Sequence, residues 1–517
     1  MLSYYNIGSI LKEIKQDFQK EIRKTEQKDY GTLIHLNRAR VRDIAIYFYE
    51  KGLDLINLAI HPIEDKFLVI YEYYYKFIKD SKYIFIITEV DKKANELDSI
   101  ELVYPHAKYL EEEISKRYGI NFLSFSEEIK EELFVIPTPL KPKEKETNLL
   151  FSGIYNKVHD ASQYFHLRVK EEKIEAVAEK TGWLYRGIIP MLNHHNIFTE
   201  NMEICKHICT PGSFHHQLAY CMAIEKLAGL EIQNRVKLIR TLLCELDRID
   251  NHLIFFANLL YHLGYTRAYH NLLKKRLSLH NIYLQYFKSR YLEDFNFLGY
   301  TGDLNKKELY EFKNDLLEIL PSVFGEVSNL LHKSYVEKMC KGIGILSHEK
   351  AKESGVTGPT LRASGVAYDI RYEKPYLSSS DIDNVKYWHV LTYQEGDVYA
   401  RIQTRFYEMR SSNTLIFALL EKLIEDIYSI EIIEPSQLRL PGNAKTIVQL
   451  ESPRGELVYS ILTNEMPNKE SLGGAYIATP SLKNFLAVNE YILPHNSIHD
   501  FSLIIHSLDL NFNEVDL

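Results

Sequence analysis

Between residues 213 and 264, apolar side chains return every three or four positions: Leu218, Met222, Ile224 and Leu227, then Val236, Ile239, Leu242, Leu243, Leu246, Ile249, Leu253, Phe256 and Leu260. That period marks amphipathic helix. Gly229 and a turn at Gln233-Asn234 divide it into two helices expected to pack antiparallel. Helical periodicity resumes over 268–298 and 305–341, with the tight turn GYTGD (299–303) between them, which predicts a bundle of about four long helices. A further helix is predicted over 412–430.

Elsewhere the pattern changes. Residues 1–26 read as a charged amphipathic helix. FLVIYEYYY (67–75) and KYIFIITEV (82–90) are rich in aromatic and β-branched residues and predict paired strands. Residues 99–125 read as strand, proline turn and a helix beginning near His106. IPTPLKPKEKETN (136–148) has no period and is rich in Pro, Lys and Glu, as a linker is. Residues 149–188 alternate apolar and polar, predicting a small antiparallel sheet. In 354–376, Gly355, Gly358 and Gly365 flank Pro359 and Arg362 in what reads as a loop followed by a strand, and 447–510 read as strands with short helices. The fold class is therefore α+β. An N-terminal α/β domain (1–135) and the linker (136–148) precede a domain over 149–517 that carries the bundle and peripheral antiparallel sheets.

A length of 517 residues exceeds one ordinary core, in keeping with two domains. The formal charge of -8, with no basic domain against it, excludes a nucleic-acid partner. No stretch reaches the roughly 18 continuous apolar residues of a membrane helix, and the N-terminus lacks a signal pattern. The expected location is cytoplasmic, with any membrane association made through partners. Five cysteines, none in a C-x-x-C pair, exclude a disulfide scaffold and a self-contained iron-sulfur site. No G-x-G-x-x-G or P-loop offers a nucleotide site.

The chemically dense stretch lies at the start of the bundle. His194, His195, Cys205, His207, Cys209, His215 and His216 fall within 23 residues. Such donors suit a transition metal or redox centre, and they also suit a core in which cysteine packs as a small apolar residue.

GWLYRG (182–187), the helix carrying Cys209, His216, Ala219-Tyr220 and Glu225, and LLCELDRIDNHL (242–253) resemble the large-subunit family shared by the complex I 49-kDa-type subunit and group 4, energy-converting nickel-iron hydrogenases. SGVTGPTLRASGVAYDIRYEKPY (354–376), GDVYAR (396–401), ESPRGE (451–456) and DFSLIIHSLDLNFNEVDL (500–517) continue the resemblance in order. Residues 99–125 are similar to the 30-kDa-type complex I subunit, which in some relatives is fused ahead of the large one.

The resemblance implies an oxidoreductase subunit of a membrane-bound complex, peripheral on the inner face of the membrane. It would sit against a small iron-sulfur (20-kDa-type) subunit and a membrane arm. Hydrogenase relatives hold nickel and iron with four thiolates in two C-x-x-C pairs. Here those positions fall on Cys209 and Gly212, and on Asn511 and Glu514, so a nickel-iron centre is not expected and no cofactor bound by this chain is predicted.

In complex I the vacated cavity takes a quinone head group, with a histidine and a tyrosine as proton donors. Here the histidine position falls on Asn156, with His159 three residues on, and the tyrosine position on Thr210, with Tyr220 nearby. His216 completes the candidate catalytic set. Arg186, Cys209, Glu245, Arg248, Asp509 and Glu514 are the candidate cofactor-binding positions. Glu245, Arg248 and His252 share one helix face, which also fits an internal charge ladder. The implied function is transfer of electrons from the neighbouring cluster to a quinone-like acceptor, coupled to ion movement. A non-catalytic scaffold and a hydrogenase large subunit are the rival readings, and the presence of an NADH-oxidising module is left open.

Overall fold

The structure is a computed structural model that describes residues 7–28, 31–51, 53–63, 65–74, 83–104, 107–123, 146–152, 164–180, 184–377, 389–426, 428–434, 437–464 and 472–517. The chain divides into two compact units, one mainly of Met1–Pro137 and the other of Thr138–Lys352, Val356–Ala475 and Thr479–Leu517.

The first unit is built on a five-stranded sheet. Lys66–Tyr74 and Tyr83–Asp91 pair antiparallel, with Ile70 opposite Ile87 and Tyr71 opposite Ile86, as the aromatic and β-branched runs predict. Residues 1–26 do not form one helix. After the helix Ile7–Asp17 the chain turns into the strand Ile22–Lys28, which pairs antiparallel with Gly31–Leu36 at the sheet edge. A polar edge strand leaves no apolar period to read, so pairing overrides local pattern. The strand expected near residue 100 is a turn, in which the amides of Val103 and Tyr104 bond the carbonyl of Ile100, and the helix follows at Ala107–Tyr118.

The second unit begins with the three strands Glu146–Ser152, Tyr164–Lys170 and Lys173–Lys180, paired antiparallel. Four long helices follow: Ser213–Ala228, Asn234–His262, Thr266–Phe287 and Lys306–Leu331. Asn305 and Glu308 close a capping box at the start of the last. A fifth, Val398–Glu425, packs along Asn234–His262 and starts 14 residues earlier than its apolar period predicts, because Asp397 caps the amide of Ala400. The strand expected after residue 365 is instead a short helix, Ile370–Glu373, capped by Asp369. The hairpin Lys445–Ser452 and Gly455–Leu462 precedes a C-terminal run of short helices that ends in Phe512–Val515.

Among the described residues no helix is long and apolar enough to cross a membrane.

Candidate functional site

Three distant segments meet where the helix Ser213–Ala228 begins. Cys209 lies in the preceding turn, Tyr459 and Arg454 on the hairpin, and Glu514 in the terminal helix, all buried. The meeting point is Glu514 Oε1. The Cys209 thiol donates to it at 3.2 Å, His216 Nε2 lies 3.3 Å away and Arg454 Nη1 3.6 Å away. The other carboxylate oxygen accepts from the Ser481 hydroxyl, and Thr479 holds the Glu514 backbone carbonyl at 2.8 Å. His216 Nδ1 pairs with the Tyr459 hydroxyl at 2.8 Å, so the imidazole bridges a phenol and a carboxylate.

Electrostatics sets the charge of each group. Burial alone would raise the Glu514 pKa, but the His216 hydrogen bond and then the Arg454 charge hold it down to about 2. Burial, followed by the negative charge of Glu514, pushes the Cys209 thiol well above its usual range, so it is protonated. Arg454 is itself held: Nε donates to the Asp509 carbonyl at 3.0 Å and Nη1 to the Pro211 carbonyl at 2.9 Å. Asn251 links the pair, with its amide nitrogen on Asp509 Oδ2 (3.0 Å) and its oxygen accepting from Arg454 Nη2 (2.9 Å), the orientation that satisfies both groups.

Gly212 has a φ of 107°, and a Cβ there would stand 3.0 Å from Arg454 Nη1 and 3.4 Å from Cys209 Sγ. A second thiolate would begin at this point. Glycine removes it and admits the guanidinium. Gly358 has a similar constraint, because a Cβ there would run into the Arg454 carbonyl.

The structure sorts the predicted residues into groups. It brings Cys209, His216 and Glu514 together, with Asp509 one step behind through Arg454. Arg186 is an exposed clamp that donates to the carbonyls of His207 and Ile208 at 2.5 Å each, fixing the turn before Cys209. Thr210 is exposed, so it is not the buried donor that its position in the family pattern calls for. Tyr220 gives its hydroxyl to the Ile197 carbonyl at 2.8 Å. Asn156 and His159 lie outside the described residues.

Glu245 and Arg248, expected as cofactor-binding positions, are built into an internal ion network. Glu245 pairs with Arg248 and Arg371 and accepts from Ser412, while Arg248 donates to the carbonyls of Glu451 and Ser452. His252 meets Glu408 on the neighbouring long helix. These contacts hold helix to helix and helix to hairpin.

Of the crowded histidines, His194, His195 and His207 face solvent, and His215 pairs with Asp247 at 2.6 Å. Sequence reading missed Tyr459, Ser481 and the role of Arg454. Only Arg454 had a signal, its place in ESPRGE.

Four thiolates are needed for a nickel-iron centre, and the residues present do not supply them. Besides Gly212, the Asn511 side chain is taken up in accepting from the amide of Asn513.

Residues 263–437 match the family described as respiratory-chain NADH dehydrogenase, 49 Kd subunit. The carbon monoxide-induced hydrogenase of Rhodospirillum rubrum is 27% identical over 349 residues, which is 67% of this chain and 92% of that protein. An NADH-quinone oxidoreductase subunit of Thermus thermophilus is 28% identical over 420 residues, 75% of this chain and 99% of that protein. A C/D-type subunit of the same oxidoreductase from Bacteroides thetaiotaomicron is 30% identical over 294 residues, 56% of this chain and 54% of that protein. Among solved structures, a chain of the membrane-bound sulfane sulfur reductase, an archaeal respiratory membrane complex, superposes with a TM-score of 0.65 at 22% identity. It covers 72% of this chain and 99% of that one, and speaks for the fold alone. The chain belongs to the family of the complex I 49-kDa-type subunit and the related hydrogenase large subunits, with an N-terminal 30-kDa-type domain that fits the C/D-type fusions.

Proposed function

We propose that the chain is the peripheral subunit of a complex I-related membrane oxidoreductase that passes electrons from a neighbouring iron-sulfur subunit to a quinone-like acceptor. The naming of relatives as NADH-quinone oxidoreductase subunits supports this reading. The observation that carries it is the convergence of the Cys209 thiol, the His216 imidazole and, through it, the Tyr459 hydroxyl on the single carboxylate of Glu514. Reducing a quinone to a quinol takes two electrons and two protons. A connected set of proton-bearing groups in a buried place is what that chemistry needs.

Coupling to ion movement has support in the adjoining network. Burial, and then the charge of Asp369, push Glu451 up to about 7, where a carboxyl exchanges its proton near neutral pH.

In the intact complex, Glu514→Gln should lower quinone-dependent turnover by about 10²-fold, a general acid-base effect, while reduction of the partner's cluster continues. Unchanged turnover in Glu514→Gln and in His216→Gln would sink this site. A scaffold without catalysis is the second reading, favoured by the direct 3.2 Å contact that closes Cys209 onto Glu514. It predicts that wild-type complex reduces its cluster but no quinone.

A further inference from the structure

We propose that Cys209, His216 and Glu514 form a mononuclear site for a borderline-soft divalent transition metal of the Zn2+ class. This inference stands whether or not the acceptor is a quinone. It differs from the four-thiolate bimetallic pattern in its single sulfur and its mixed donors, and it departs from the absence of any metal that counting thiolates predicts.

One sulfur, one imidazole nitrogen and one carboxylate oxygen lie within 4.8 Å of one another, all buried. The oxygen is 3.2 Å from the sulfur and 3.3 Å from the nitrogen. Around a tetrahedral ion with bonds of about 2.0 to 2.3 Å, neighbouring donors stand roughly 3.3 to 3.8 Å apart. The three atoms are therefore already near the spacing that an ion imposes, and small outward shifts admit one.

The surroundings independently favour a ligand role. A metal-bound imidazole needs its other nitrogen held, and His216 Nδ1 has the Tyr459 hydroxyl at 2.8 Å. A monodentate carboxylate needs its second oxygen occupied. Ser481 occupies it, and the Ser481 hydroxyl oxygen in turn accepts from the amide of Asn511 at 3.0 Å.

The charge balance closes as well. Binding replaces the thiol proton, Cys–SH + M2+ giving Cys–S–M+ + H+, and the Glu514 carboxylate neutralises the remaining positive charge. Arg454 keeps its partners Asp509, Asn251 and the Pro211 carbonyl. With three protein donors, the fourth position stays open for water or another small ligand. The bound ion would tie the C-terminal segment to residues 305 and 298 positions earlier.

The test is a titration of the purified full chain with cobalt(II), a coloured substitute for zinc. One equivalent should bind with tetrahedral ligand-field bands and a thiolate-to-cobalt charge-transfer band. Excess zinc should bleach both. Cys209→Ser should remove the charge-transfer band, and Cys221→Ser should keep it. A band that persists in Cys209→Ser, or no band in folded wild type, overturns the proposal. X-ray absorption at the zinc edge of the wild type needs no variant. It should show one sulfur among nitrogen and oxygen neighbours, and a shell with no sulfur or with several would be equally decisive against the site. Neither readout involves turnover, so failure here is distinct from failure of the quinone reading.

Discussion

Two buried polar regions of the second unit use the same residue types to different ends. Around Arg362, every charge has fixed partners. Its guanidinium reaches Glu408 at 2.7 Å, Glu451 at 2.9 Å and the Tyr368 carbonyl at 2.8 Å, while Arg371 pairs with Asp369 and Glu245. Around Glu514, by contrast, a thiol, an imidazole and a guanidinium all lean on one carboxylate oxygen. The first region spreads its charges and locks the helices. The second concentrates donors at a point, which is how a site that binds or exchanges something differs from one that only holds.

The largest effect expected from breaking the first region is on folding. Arg362→Met strands Glu408 and Glu451 without their cation, and loss of one partner of a buried pair costs about 3 to 5 kcal/mol. Chemical denaturation of the full chain measures it. A change below about 1 kcal/mol would remove the contrast between the regions, since it would mean that the network tolerates vacancies as a surface pair does.

Acid pH sharpens the comparison from the other side. The Glu514 pKa is depressed from 4.5 to about 2, so its stabilising contribution is fully present above the unfolded value and disappears as pH falls from 4.5 toward 2. A fully buried group shifted this far contributes up to about 3 kcal/mol. The stability difference between wild type and Glu514→Gln should shrink across that window. A difference that stays flat from pH 6 to pH 2 would place the charge of Glu514 outside the stabilising balance.

Tyr459→Phe is milder for the fold and selective for the relay. It deletes one hydroxyl from His216, costing about 1 kcal/mol. Turnover should fall by roughly 10-fold or more if the phenol supplies or orients a proton. A variant as stable and as active as wild type would reduce the phenol to packing.

Periodicity carried the bundle because Asn234–His262 is long and its apolar stripe faces a core throughout. It failed where structure comes from pairing or capping: the polar edge strand Ile22–Lys28, and the start of Val398–Glu425 set by Asp397. The site was half legible. Motif order placed Cys209 and Glu514 in one pocket although 305 positions separate them. The hydroxyl of Tyr459 was not legible, because nothing local in GELVYS says which face of a paired strand meets a distant histidine.

The smallest effect tests the position where sequence reasoning and geometry part. Thr210 was the expected proton donor by its place in the family pattern, yet its side chain is exposed, and the phenol that meets His216 comes from the hairpin. If the donor role has moved to Tyr459, Thr210→Ala should change stability by no more than about 0.5 kcal/mol, as exposed substitutions usually do. Quinone-dependent turnover should also be unaltered. Differential denaturation and turnover in the intact complex measure the two. A turnover loss in Thr210→Ala as large as that of Tyr459→Phe would return the donor to the exposed turn and leave the buried phenol as packing.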